Sequence, residues 1–289
     1  PGKALLKDHS FAFYTTNNIF TSGSNAFATF LNDWKGATTG TGLDLTMNTG
    51  SSLLLTDVSS ATGTGANTIQ FSDIVPPITG STLKNAAPTG AQTVATISGV
   101  PDYYYVTLKG ADVKVNEPNY DLSNIDNKLN RVSIYDSDIT VDSSTTIQDV
   151  ATPNVAASTN LVRQKYILGV NNGKKLTNNG TITLNSTSSA SDELKVLVAM
   201  GNGTTASEAI NNGTITSKIK KGIAIYASDG AKGTNNLNKS ITMDGDSAFG
   251  MVGSNANTTN EGNITVNGKS ATGMYSTEPS TVTNPAKTA

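Results

Sequence analysis

Cysteine is absent from all 289 residues, which removes disulfides, thiolate metal sites and cysteine nucleophiles together. Histidine occurs once, at His9, so any serine nucleophile of the triad type would depend on a single base for the whole chain. Arginine occurs only at Arg131 and Arg163, few for gripping a polyanionic substrate. Charge is sparse, at 15% of residues with a net of −2, and no Lys/Arg run gives the electrostatic footprint of a nucleic-acid binder. The nearest basic cluster, Lys218, Lys220 and Lys221, reads as a solvated strand end. No stretch approaches 18 consecutive apolar residues, and Pro1-Gly2 opens no charged-then-apolar leader. On those grounds the chain reads either as cytoplasmic or as a mature fragment shorn of its targeting parts. Proline is missing between Pro153 and Pro279, which suits stacked central strands that must donate their backbone N–H groups.

What is abundant is Asn, Thr, Ser and Gly, in a pattern that repeats. NNGTIT stands at residues 178–183 and again at 211–216, with the variants NKSITM at 238–243 and NEGNITV at 260–266. The isoleucines of these units, Ile182, Ile215, Ile241 and Ile264, lie 33, 26 and 23 residues apart. Ala224, Gly250 and Gly273 each follow their isoleucine by nine residues, inside GIAIYAS, SAFGMVGS and SATGMYST; in the first copy the run VLVAM (196–200) comes later, after an insertion. An earlier pair, VTLKGADVKV (106–115) and VSIYDSDITV (132–141), matches at a shift of 26, each alternating, breaking and alternating again as a strand does on either side of a corner.

Units this short and β-branched cannot bury an apolar face alone, but stacked copies can. The fold expected is all-β, a right-handed parallel β-helix in which each repeat is one coil. Asn-Gly pairs would turn the corners by tolerating positive φ, and equivalent asparagines would bond in ladders. Phe27, Phe30, Leu31 and Trp34 fall at helical spacing within residues 24–36, so a short amphipathic capping helix is expected there, preceded by an edge strand at FAFY (11–14). The expected organisation is a cap over 1–40, irregular coils with inserted loops over 41–170, regular coils over 171–278 and a tail over 279–289 in which the repeats dissolve.

Strings of the NNGTIT…GMYS type, with coils of this length, resemble the passenger regions of large type V autotransporter adhesins, and the RadD-like fusobacterial outer-membrane adhesins above all. The likeness is good over residues 171–275 and weaker before. It implies an N-terminal passenger fragment of a bacterial cell-surface rod, anchored by an outer-membrane barrel that this sequence does not contain. It further implies a non-enzymatic role in adhesion to a host receptor, a host glycan or a partner bacterium.

Several residue groups stand out as candidates. GDSA at 245–248 carries the GDS of some serine hydrolases, but it aligns with Gly268-Lys269-Ser270 one coil on and so reads as a corner, far from His9. Asp136, Asp138 and Asp142 form an acidic corner that could hold calcium or act as solvated turn formers; no EF-hand spacing is present. Thirteen of the seventeen aromatics precede residue 136, among them Tyr103, Tyr104, Tyr105 and Tyr120. Three successive tyrosines in a strand cannot all face inward, so exposed rings are expected for protein or sugar contacts. Loops outside the coil period, at 75–89, 117–128 and 142–164, add Asn119, Asp142, Asn154 and Asn160 as candidate contact residues. No cofactor and no catalytic residue is expected, and the fragment reads as a monomer. The rival readings are a polysaccharide-acting β-helix enzyme, a trimeric adhesin head and a purely structural stalk.

Overall fold

The computed structural model describes residues 3–6, 10–20, 44–47, 50–74, 83–87, 90–93, 103–123, 127–149, 166–187, 192–277 and 281–283. The chain divides into two compact units, residues 1–113 with 125–135, and residues 114–124 with 136–289.

The second unit is a right-handed parallel β-helix with three faces. The first face carries the strands Tyr166–Val170, Lys195–Met200, Ile223–Ser228, Phe249–Ser254 and Thr272–Thr277, in that spatial order. The second carries Asp138–Val141, Lys175–Asn178, Glu208–Asn211, Lys232–Asn235, Asn257–Asn260 and Thr281–Thr283. The third carries Asn119–Asp121, Thr146–Asp149, Thr181–Leu184, Thr214–Ser217, Ser240–Met243 and Asn263–Val266. Each strand pairs in parallel with its equivalent one coil away.

The isoleucine spacing proves to be structural register. On the third face Tyr120, Ile147, Ile182, Ile215, Ile241 and Ile264 stand one above another. All are fully buried except the half-buried Ile264. Burying an isoleucine is worth about 1.5–3 kcal/mol, so this one column is a major source of cohesion. The second expected correspondence holds too: Val132 pairs with Val106 and Ile134 with Leu108, the shift of 26. The corners fall where alternation breaks, at Gly110 (φ 69°) and Asp136 (φ 47°). The tail does not dissolve at residue 277, because Thr281–Thr283 pairs with Asn257–Thr259 and continues the second face.

The first unit holds a parallel sheet of Phe11–Thr15, Ser51–Asp57, Tyr103–Lys109 and Val132–Tyr135, with the expected FAFY strand at its edge. A second sheet joins Lys3–Leu6, Asp44–Met47 and Leu83–Ala87 in parallel and ends in the antiparallel strand Gly90–Thr93. One helical turn, Lys128–Arg131, is capped by the Asn127 side chain, which accepts the Leu129 N–H at 3.0 Å. The capping helix expected over 24–36 lies outside the described residues.

The Asn-Gly corners work differently from the expectation. None of Asn178, Asn179, Asn211, Asn212, Gly180 and Gly213 has positive φ; those conformations sit at other corners, such as Asn172-Gly173 and Asp229-Gly230. Glycine is required because successive corners stack in near contact. A Cβ on Gly213 would lie 1.9 Å from the Gly180 carbonyl oxygen, and one on Gly262 would lie 2.4 Å from that of Lys239. Asparagine is required by the ladder, which forms as expected. The amide of Asn178 donates to Asn211 at 2.9 Å, Asn211 to Asn235 at 2.8 Å and Asn235 to Asn260 at 2.8 Å, all buried. The Asn211 oxygen that receives a rung also serves its own corner, where the Gly213 N–H donates to Asn211 Oδ1 at 3.2 Å. A second, outer ladder runs from Asn236 to Asn212 to Asn179.

Replacing Asn211 by Ala removes two rungs: the buried Asn178 amide keeps only its 3.3 Å bond to the Gly180 carbonyl, and the buried Asn235 Oδ1 loses its donor. The expected loss is about 1–3 kcal/mol, read as a lower urea midpoint at unchanged slope. Thr216→Ala, on the half-exposed side of the next strand, should stay within about 0.5 kcal/mol of the parent.

Candidate interaction surface

The tyrosines singled out in the sequence divide sharply by burial. Tyr105 is 7% exposed, and the guanidinium of the buried Arg131 lies 5.4 Å from its ring centroid, a cation–π contact inside the first unit. Tyr120 is wholly buried in the isoleucine column, and its hydroxyl accepts the Glu117 N–H at 3.1 Å. Burial removes both from a contact surface: the loop position expected for Tyr120 is an inward strand position. Burial also raises its phenol above the ordinary value. Tyr104 is half-buried and paired in register with Ser52; Tyr103 pairs with Ser51. Asn119 is exposed and accepts from the Gln148 amide at 2.9 Å. Asn154 and Asn160 lie outside the described residues, as do Arg163 and His9.

The acidic corner is engaged in turns. Asp136 adopts the left-handed conformation, Asp138 accepts the Lys175 N–H at 2.7 Å, and the Asp142 carbonyl accepts the Thr145 N–H at 3.0 Å. Among the described residues no three His, Asp or Glu side chains gather closely enough to hold a metal ion. Ser247 of GDSA is a corner residue at φ 55°, and its N–H donates to the Lys269 carbonyl at 2.8 Å, one coil on.

What the sequence did not single out is the first face of the β-helix. Its register aligns Tyr166, Lys195, Ile223, Phe249 and Thr272 in one column, and Gly169, Val198, Tyr226, Val252 and Tyr275 in another. The four aromatic residues that follow residue 136 therefore all lie on this face. Tyr275 is 48% exposed, and Tyr166, Tyr226 and Phe249 are half-exposed. Large and small residues alternate along the second column, which accounts for Val198 and Val252 being covered although they share it with exposed rings. The Lys195 ammonium sits 5.1 Å from the Tyr226 ring centroid, and the Phe249 and Tyr275 rings are 5.7 Å apart and tilted by 54°. Tyr166 lies over Gly169, where a Cβ would come within 2.8 Å of the ring. The result is a set of four rings, three of them with polar tips, and one cation.

The first unit offers a separate cleft of about 510 Å³, lined by Thr16, Asn17, Asn18, Ser60, Ala61, Thr62, Gly65 and Ala66. That lining can donate and accept hydrogen bonds and contains no titratable side chain, so it suits binding and not acid–base chemistry.

The family model of the BigA third pectate lyase-like domain matches residues 108–258, more than half of the chain. The chain belongs to the BigA third pectate lyase-like domain family. None of the curated proteins and none of the solved structures matches it. The BigA-type segment takes in the asparagine ladder from Asn178 to Asn235 and the ring positions Tyr166, Tyr226 and Phe249. Membership gives the coarse class, a β-helix domain of the bacterial surface, adhesin-like type.

Two carboxylates of this BigA-type chain titrate in opposite senses. Asp149 is wholly buried, and its oxygens accept the N–H groups of Asn185 and of Ser186, the latter at 2.9 Å. Desolvation outweighs those bonds and raises its pKa. Asp57 is paired with Lys109 at 2.8 Å, and that bond holds it below the ordinary carboxylate value. A raised folded pKa means the native state keeps its proton longer, so Asp149 withdraws stability as pH climbs through 3.8 to that higher value. Asp57 adds stability above 3.8 that is lost as pH falls through its lower folded value. Urea midpoints at pH 3 and pH 7 should show Asp149→Asn gaining on the parent as pH rises, and Asp57→Asn falling behind it.

Proposed function

We propose that this protein is a non-enzymatic bacterial cell-surface adhesin, the membrane-distal N-terminal passenger piece of a large type V autotransporter of the RadD-like fusobacterial kind. The full-length protein is held by an outer-membrane barrel outside this sequence. Its partner is a host receptor, a host glycan or the surface of another bacterium. The observation that carries this reading is the gathering of Tyr166, Tyr226, Phe249 and Tyr275 on one outward face of a domain whose family is adhesin-like. Aromatic rings fixed by a rigid scaffold supply flat apolar area at little entropic cost, the usual make-up of binding hot spots. The neighbouring Lys195 ammonium and Thr272, in register with Phe249, add polar groups beside the rings.

The non-enzymatic part draws support from where the ionic groups sit. Asp149 caps backbone amides inside the coil, the Arg131 guanidinium lies against the Tyr105 ring, and the Asp138 carboxylate accepts the Lys175 N–H of the next coil. A β-helix lyase or hydrolase instead needs acid and base groups converging on one groove.

The test is a binding screen of the fragment against host cells, glycans and partner bacteria, with polysaccharide turnover measured alongside, with and without calcium. The double variant Tyr226→Ala/Tyr275→Ala should keep the circular dichroism of the parent and lose at least about tenfold in apparent affinity. Tyr104→Ala, in the other unit, should lose less. Unchanged binding by the double variant would move the contact surface elsewhere, and measurable turnover would replace the adhesin reading by the enzymatic one.

A further inference from the structure

We propose that the second face of the β-helix unit binds the same face of a second copy of this chain, with the two helices antiparallel. The outward column on that face runs Asp138, Lys175, Glu208, Lys232, Asn257 and Thr281, one residue per coil, and its first four members are charged. The lysines are exposed and the acids half-buried, and Lys232 meets Glu208 at 3.3 Å. A column of four alternating signs is self-complementary in one sense only. Two such faces can meet about an axis along the helix or about an axis along the strands. The first keeps the helices parallel and sets Asp138 on Asp138 and Lys175 on Lys175. The second reverses one helix and sets Asp138 against Lys232 and Lys175 against Glu208, each pair occurring twice.

The neighbouring column agrees. Thr140, Thr177, Ile210 and Thr234 are half-exposed and carry no charge of their own, Thr140 accepting from the Lys114 ammonium at 3.4 Å, and in the same antiparallel register place Thr140 against Thr234 and Thr177 against Ile210. Strands of four residues over the four coils that overlap in this register give a footprint of roughly 250 Å² per copy, below the ~1,000 Å² total of a stable complex. The pair is therefore weak singly and effective only where many copies face one another. Antiparallel rods are what two opposed surfaces present to each other, whereas neighbours on one surface are parallel. This pairing stands apart from the aromatic face and survives the failure of the adhesin reading.

Sedimentation of the fragment at increasing concentration, up to the millimolar range, should show a rising weight-average mass that returns to the monomer in about 0.5 M salt, where the Debye length is only a few ångströms. Lys175→Glu and Glu208→Lys should each weaken association by about tenfold or more. An equimolar mixture of the two, and the double variant Lys175→Glu/Glu208→Lys, should recover it. The cysteine-free chain allows the orientation to be read directly. With a short bis-thiol linker, Thr140→Cys mixed with Thr234→Cys should cross-link, and Thr140→Cys alone should not. A monomer at every concentration, equal association of single variants and parent, or cross-linking of Thr140→Cys to itself would overturn the proposal.

Discussion

Vertical register governs this molecule: every residue of a coil must live with its equivalent about 4.8 Å above and below. In a sheet of neighbours drawn from all over a chain, a side chain can be matched to any shape. Here it is matched to a near-copy of itself. Isoleucine over isoleucine fills a column without voids, and asparagine over asparagine closes a hydrogen-bonded ladder in which each amide is at once donor and acceptor. Glycine at the corner is the complement of that ladder. With the Gly180 carbonyl where the Cβ of a larger residue at 213 would be, close stacking of corners excludes every side chain. The repeated NNG is thus one solution to one distance, met by backbone contact and not by turn conformation.

The same register organises the outside. Insertions enter at corners, as in the four-residue corners at 142–145 and 236–239 where the coils at 179–180, 212–213 and 261–262 have two, and Leu237 is exposed. Between corners, outward residues form columns whose chemistry is set independently on each face: rings and one lysine on the first, alternating charge on the second, threonine on the third. A rigid core with three separately editable surfaces lets the chemistry of each outer face change without disturbing the ladder inside.

The fold was legible because the core column is written in the sequence at intervals of 33, 26 and 23, and because the earlier pair keeps its alternation through a corner. The surface was not legible. Tyr166, Tyr226, Phe249 and Tyr275 lie at unequal spacings, and only the pairing that absorbs the insertions after Leu184 and Met200 brings them onto one face. Clustering in sequence pointed instead to Tyr103–Tyr105 and Tyr120. Tyr120 occupies the isoleucine column one coil before Ile147, where no repeated letters mark it. Asp149 was missed for the same reason: it stands in register with Leu184, an inward position that the sequence pattern reserves for apolar residues.

Asp149 and the asparagine ladder together bear on why a polar interior is tolerated. Leu184, Ser217 and Met243 continue the column that Asp149 begins, so an apolar residue fits the site sterically. The carboxylate supplies two acceptors to the N–H groups of Asn185 and Ser186 at a corner where the chain leaves the coil for the stretch before Lys195. Further along, the Ser217 hydroxyl accepts the Ile219 N–H at 3.2 Å and does a smaller version of the same task. Asp149 and Ser217 sit where backbone groups would otherwise lose their ladder partners, whereas the buried Thr258 stands inside an unbroken ladder with its hydroxyl unpaired. Stability in a chain without disulfides then follows from complete pairing of the backbone as much as from apolar burial, and an irregular coil is admissible wherever a side chain can stand in for the missing strand.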